Sequence, residues 1–229
     1  MKGSRDQAAP CRVLSLVPYF AELDPDTLQA VAGASVRRNY GPGQIALLQG
    51  EPSIGLYVIE EGWLKVVRAS TEGREQVLRF VGPGDVFNEA GVFAGARNPA
   101  TVVALEPATV WLIYRETILQ LFDEHPRMAR SIVEHLARRV LHLASLVEDL
   151  SLRTVEARLA RLLLERAEEG ALQRRRWATQ TEMAARLGTV LEVLNRALHR
   201  LADEGLIEVD RHQIRIRDRE GLKAKALIE

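Results

Sequence analysis

One heptad repeat, between residues 126 and 150, constrains this chain more than any other feature. Its apolar side chains alternate at spacings of three and four residues, the a/d pattern of a two-stranded coiled coil, and valine at every a position favours a parallel pair. A single helix packed on its own domain would carry a wider apolar stripe. Pro126 opens the helix, because the first turn needs no N–H from it. The repeat predicts a homodimer interface, the a/d stripe, formed by Val133, Leu136, Val140, Leu143, Val147 and Leu150.

Composition narrows the class of protein. A single cysteine, Cys11, cannot form an internal disulfide, a thiolate zinc site or an Fe–S cluster, and a reducing cytoplasm fits best. No apolar run approaches 18 residues and the N-terminus lacks an export signal, so we expect no membrane span. The net charge is zero, yet residues 152–229 carry 16 Lys and Arg against 13 Asp and Glu. This small excess permits nucleic-acid binding without requiring it.

The chain before the long helix has the pattern of short β-strands. Glycine and proline turn signals recur about every ten residues, and runs of β-branched and aromatic residues lie between them. An antiparallel barrel or sandwich is expected, and small barrels of this kind often hold one ligand. Asp24-Pro25 indicates the start of a preceding helix. The expected strands cover residues 56–59, 63–67, 76–81, 101–105 and 109–114.

The chain after the long helix has a helical pattern that ends in a hairpin. A hinge is expected at 152–154, where Thr154 can cap the next helix. Two capping boxes follow, Thr179–Glu182 and Thr189–Glu192, and Leu187-Gly188 between them supplies the turn of a helix-turn-helix. Alternating isoleucine and valine across residues 207–216 predict a β-hairpin wing.

The second helix of this motif presents a polar face. Glu192, Asn195, Arg196 and His199 share one surface, opposite a leucine stripe at 194, 198 and 201. Glutamate can accept a hydrogen bond from cytosine N4, and arginine can bond guanine O6 and N7. Leu191 either contacts a thymine methyl or joins the core. The predicted DNA-binding residues are Thr179, Gln180, Leu191, Glu192, Val193, Asn195, Arg196 and His199.

Several motifs then resemble one family in the order in which they occur. The segments 43–45, 49–51 and 57–59, the turn at 82–87 and Glu89 look like the cyclic-nucleotide-binding β-roll of the Crp/Fnr transcription regulators. The resemblance implies an α+β chain: a β-roll (jelly roll) sensor domain at 13–125, a dimerisation helix at 126–151 and a winged helix-turn-helix at 152–229. It also implies a cytoplasmic homodimer that binds a palindromic operator and acts with RNA polymerase. Glu192 and Arg196 match base-contacting positions, whereas Leu191 replaces an arginine frequent in members that respond to cyclic AMP.

The effector pocket departs from the pattern of the Crp/Fnr family. Glu89 matches a glutamate that holds the ribose, but the Arg-Ser pair that holds the phosphate aligns with Asn98-Pro99. Loss of a charge-assisted contact of this kind costs roughly 1.5–3 kcal/mol, so cyclic AMP is disfavoured. Two hydroxyl residues that contact the adenine align with Leu143 and Ala144. The candidate pocket residues are Asn88, Glu89, Arg97, Asn98, Arg139 and Leu143.

Three other interpretations of the chain stay open at this point. The pocket could hold haem with an axial ligand from His125, His135 or His142, as in relatives that sense nitric oxide or carbon monoxide. The chain could respond to another signal or to none. A regulatory module acting on a protein partner is a third class. No residues stand at the spacing of an enzyme motif, so we do not expect an enzyme.

Overall fold

The computed structural model describes residues 10–70, 75–95, 97–166, 171–173, 179–210 and 213–227. They fall into two compact units. The first comprises the described residues of 10–68 and 78–140, and the second comprises those of 69–77 and 141–227. Within the described ranges, no helix is long and apolar enough to cross a membrane.

Eight short strands form the β-roll as two four-stranded sheets. The strand order is β1-β8-β3-β6 in one sheet and β2-β7-β4-β5 in the other. Alternating side chains of β3 and β8 fill the core, where Ile59, Val110 and Leu112 are completely buried. The elements are α1 (Pro25–Ala34), β1 (Val36–Tyr40), β2 (Ile45–Leu47), β3 (Gly55–Glu61), β4 (Leu64–Ala69), β5 (Glu75–Val81), β6 (Val86–Phe87), α2 (Glu89–Phe93), β7 (Thr101–Ala104), β8 (Ala108–Tyr114) and α3 (Arg115–Glu124).

The long helix α4 (Pro126–Leu152) is continuous over 27 residues. Met128 and Ile132 on its first two turns are buried in the core of the first unit, next to Ile118 and Leu121 of α3. Pro126 stands at its first position, as predicted, and the helix ends one residue into the expected hinge. The break therefore falls at Arg153 and Thr154.

The second unit contains the winged helix-turn-helix. A three-stranded sheet has the order β10-β11-β9, and its hairpin pairs Ile207 with Ile216 and Val209 with Ile214, as the alternation predicted. Residues 211 and 212 of the wing turn lie outside the described residues. The elements are α5 (Val155–Arg166), β9 (Ala171–Gln173), α6 (Gln180–Arg186), α7 (Leu191–Asp203), β10 (Ile207–Val209), β11 (Gln213–Ile216) and α8 (Arg219–Ala226).

Side-chain caps explain the starts of four helices, α1, α5, α6 and α8. Asp24 accepts the N–H of Thr27 at 2.9 Å, and the Thr154 hydroxyl accepts the N–H of Ala157 at 3.2 Å, both as predicted. The prediction of a second capping box was wrong, because Val190 is the N-cap of α7 and offers no side-chain acceptor. Thr189 instead belongs to the turn, where its N–H donates to the carbonyl of Ala184.

Candidate nucleic-acid interface and effector pocket

The helix-turn-helix is fixed by a cap at one end and a glycine turn in the middle. Thr179 caps α6 by accepting the N–H of Glu182 at 3.2 Å. Gly188 has a φ of 64°, a left-handed conformation that lets the chain reverse within a few residues. The hydrophobic stripe of α7 is then buried against α5 and α6, and its members are Leu194, Ala197, Leu198 and Leu201.

The opposite face of α7 carries the predicted base-contacting residues. Glu192, Arg196 and His199 are exposed, and Asn195 and Val193 beside them are partly buried. Thr179 and Gln180 at the start of α6 are exposed and partly buried, respectively. The next arginine, Arg200, is held within the unit by an ion pair of 2.6 Å with Glu156 of α5. The arrangement can present a carboxylate and a guanidinium together to the edges of bases.

Leu191 does not join the core, so the interpretation of this residue as part of the core is wrong, and its contact with a thymine methyl stays a prediction. Its side chain is 40% exposed at the first position of α7, whereas Leu194 is completely buried. The N-cap residue Val190 is exposed beside it. The N-terminal part of such a helix is what enters the major groove, so an apolar contact is available there.

Two arginines of the wing, Arg215 and Arg217, are paired with acidic residues of the same hairpin. Arg217 bonds the carboxylate of Glu208, and Arg215 lies 4.0 Å from carboxylate oxygens of Glu208 and Asp210. Exposed pairs of this kind contribute at most about 1 kcal/mol, so they can open toward phosphate groups at little cost.

The a/d stripe of α4 is open to solvent. Val133, Val140 and Val147, the a positions, are each more than half exposed, and Leu143 at a d position is 41% exposed. Leu136 and Leu150 are partly buried. A row of large apolar side chains at heptad spacing on one helix is a surface suited to a second helix.

Asn98 and Arg97, the pocket residues at or beside the position of the phosphate contact, form hydrogen bonds with the backbone. The Asn98 side chain is buried and donates to the Leu48 carbonyl at 3.1 Å, and its backbone N–H donates to Glu51. Arg97 is exposed, and its guanidinium donates to the Gly50 carbonyl at 2.9 Å. Both residues therefore stabilise the connection between β2 and β3, and their side-chain N–H groups donate to backbone carbonyls of that connection.

The next two candidates stand at the start of α2. Asn88 has a φ of 77°, which asparagine tolerates, and its amide donates to Ser53 and to the carbonyl of Gly55. Glu89 is only 3% exposed, and its Oε1 lies 3.2 Å from Nε2 of His135 on α4. The two atoms do not meet the geometry of a hydrogen bond, so the contact is an ion pair when the imidazole is protonated.

Sequence reasoning missed two further polar residues that interact with Glu89, the partly buried Arg79 and the buried Tyr19. Burial lowers the pKa of Arg79, while the carboxylates of Glu89 and Asp85 act in the opposite direction. Burial, followed by the charge of Glu89, raises the pKa of the Tyr19 hydroxyl well above its ordinary value. Strand alternation could have found Arg79, because it shares a face of β5 with the buried residues Val77 and Val81.

The remaining pocket candidates and histidines differ in their surroundings. Arg139 lies one helical turn after His135, and its Nη1 is buried without a hydrogen-bond partner among the described residues. Leu143 belongs to the second unit. His125 is the C-cap of α3, and His142 is exposed. Within the described part of the chain, no three His, Cys, Asp or Glu side chains are grouped to hold a metal ion.

The β-roll, the long helix and the winged helix-turn-helix together define a DNA-binding transcription regulator. A family model described as cyclic nucleotide-binding domain matches residues 37–125, and one described as Crp-like helix-turn-helix domain matches residues 157–225. The chain belongs to the Crp/Fnr family of transcription regulators. The probable transcriptional regulator flp of Lacticaseibacillus casei is 30% identical, over 91% of this chain and 95% of that protein.

Two further comparisons agree with this family. The cyclic AMP receptor protein of Thermus thermophilus is 29% identical, over 88% of this chain and 93% of the relative. The structure of FixK2 from Bradyrhizobium japonicum superposes with a TM-score of 0.73 at 24% identity, covering 85% of this chain and 98% of that one. The last comparison shows the fold alone.

Proposed function

We propose that this chain is a homodimeric regulator that binds a palindromic operator through α7 and does not require cyclic AMP. The observation that carries the proposal is the exposed polar face of α7, with Glu192 and Arg196 opposite a buried leucine stripe. In a helix-turn-helix of this kind, the second helix lies in the major groove. The acidic and basic groups on this face match donors and acceptors of a G·C pair.

The dimer is supported by the exposed a/d stripe. Pairing two copies of α4 along this stripe would bury the valines and leucines that water covers in a single chain. A two-fold dimer then presents two copies of α7 to half-sites about one turn of DNA apart, roughly 34 Å. We propose RNA polymerase as a further partner, because a transcription regulator changes transcription by that enzyme.

The proposal that cyclic AMP is not required rests on the pocket. A cyclic phosphate needs a charged donor, and the residues at that position are Asn98, bonded to Leu48, and Pro99. The carboxylate of Glu89 faces His135. The residues present therefore do not fit a cyclic nucleotide, and the regulator acts without an effector or with one of another kind.

Substitution of Arg196 tests the assignment of α7. Arg196→Ala is expected to weaken binding to the operator selected from randomised DNA by about 1–3 kcal/mol, roughly 5- to 150-fold, with little effect on random DNA. Arg219→Ala is the control, because Arg219 is also exposed and lies on α8. Fluorescence anisotropy with both DNAs measures the difference. Equal losses on operator and random DNA would show that Arg196 contacts phosphates only.

The exposure of Leu191 leads to a prediction about the operator. Replacing the contacted thymine by uracil removes one methyl group, and wild-type binding is expected to fall by about 0.8 kcal/mol, roughly fourfold. In Leu191→Ala the same replacement is expected to have no effect, because the methyl has lost its apolar partner. Uracil at a flanking position outside the half-site is the control. Additive effects of the two changes would contradict this contact.

A further inference from the structure

The buried carboxylate of Glu89 has two basic side chains of the same chain in its surroundings. His135 of α4 approaches it to 3.2 Å. Arg79 of β5 lies close enough for the two charges to attract, and its guanidinium also donates to the Val86 carbonyl. A buried carboxylate is costly unless it is paired, so these two neighbours account for the presence of Glu89 in the interior.

Tyr19 also packs against this group of residues. Its ring is 1% exposed, and it meets the imidazole of His135 edge-on with ring centres 6.0 Å apart. The raised pKa keeps its hydroxyl protonated and able to donate. His135 is therefore contacted by an aromatic ring and a carboxylate that belong to two different segments of the β-roll.

We propose that His135 is a positioning residue that holds the first half of α4, residues 126–140, on the β-roll through Glu89. Groups of the chain itself thus interact with the carboxylate that, by the family resemblance, would bind a ligand. The inference rests on the proposed function, for which it supplies a physical reason why cyclic AMP is not required. It concerns only residues of the first unit.

The proposal is tested by amide hydrogen exchange on full-length protein without DNA. His135→Leu introduces an apolar side chain of similar length and removes the partner of Glu89. It is expected to accelerate exchange of amides in 126–140 by at least about tenfold. His135→Gln places a side-chain N–H donor near Glu89 and is expected to recover at least half of the lost protection on a logarithmic scale. His142→Leu, an exposed change on the same helix, is the control.

The outcomes separate this proposal from the proposed function. Unchanged exchange in His135→Leu, or equal exchange in the Leu and Gln variants, would overturn it, because packing alone would then hold the helix. Should His135→Leu fail to fold, Glu89→Gln is measured in its place and is expected to accelerate exchange in the same residues. Operator binding by the wild type is measured separately. Failure of that binding with the expected exchange pattern would overturn only the proposed function.

Discussion

Val140→Asp is expected to convert the dimer into a monomer at micromolar concentration. Val140 is an a position near the middle of the a/d stripe and is 65% exposed in the single chain. In the proposed dimer, two carboxylates would face each other and lose their hydration without gaining a partner. Each loss costs at least about 2 kcal/mol, so the dimer weakens by about 4 kcal/mol, roughly a thousandfold in Kd. Sedimentation equilibrium measures the change.

Leu141→Asp is the matched control for this substitution. Leu141 adjoins Val140 on α4 and is 70% exposed, but it lies off the a/d stripe. The same charge at this position is expected to leave the dimer intact. Operator affinity should fall in Val140→Asp alone, because one subunit can then hold only one half-site at a time. A Val140→Asp protein that stays dimeric would place the interface elsewhere.

Glu89→Leu is expected to lower the free energy of unfolding by about 3 kcal/mol, since removing one partner of a buried ion pair typically costs 3–5 kcal/mol. The substitution leaves the partly buried guanidinium of Arg79 without one of the two carboxylates, Glu89 and Asp85, that attract it. If Glu89 served only to hold a ligand, its removal from ligand-free protein would have little effect or would increase stability. Urea denaturation of ligand-free protein measures the difference.

Glu116→Leu provides the comparison for that experiment. Glu116 also stands in the first turn of a helix, α3, but its side chain is exposed. The favourable interaction of a carboxylate with a helix N-terminus is lost in both variants, so only the buried charges differ. A Glu89→Leu loss no larger than that of Glu116→Leu would contradict the pairing with Arg79 and His135.

Much of the fold could be predicted from the sequence because the signals were local. Turn signals bounded five of the eight strands of the β-roll, whereas β1, β2 and β6 were missed. The heptad repeat marked α4 to within two residues of its observed end at Leu152. The short strand β9 was not predicted. The sequence predicts a polar, arginine-rich connection at 171–177, and Ala171–Gln173 becomes a strand only by pairing with β11, a contact distant in sequence. The rest of that connection, residues 174–177, lies outside the described residues.

The site shows the same division between local and distant information. The faces of α7 follow from helical periodicity, so the exposed and buried residues could be assigned in advance. The surroundings of Glu89 could not be, because His135, Arg79 and Tyr19 come from three distant segments. The heptad pattern places His135 beside the a/d stripe of α4 and does not predict its contacts. Its contact with a carboxylate depends on how that helix packs against the β-roll.

The central claim is selective DNA binding by the dimer without cyclic AMP, and one measurement tests it most directly. Purified protein, with nothing added, is used to select from a pool of randomised palindromic DNA at moderate salt. The account predicts enrichment of one palindrome and an affinity for it that cyclic AMP does not change. No enrichment without a ligand, followed by enrichment when cyclic AMP is added, would contradict it.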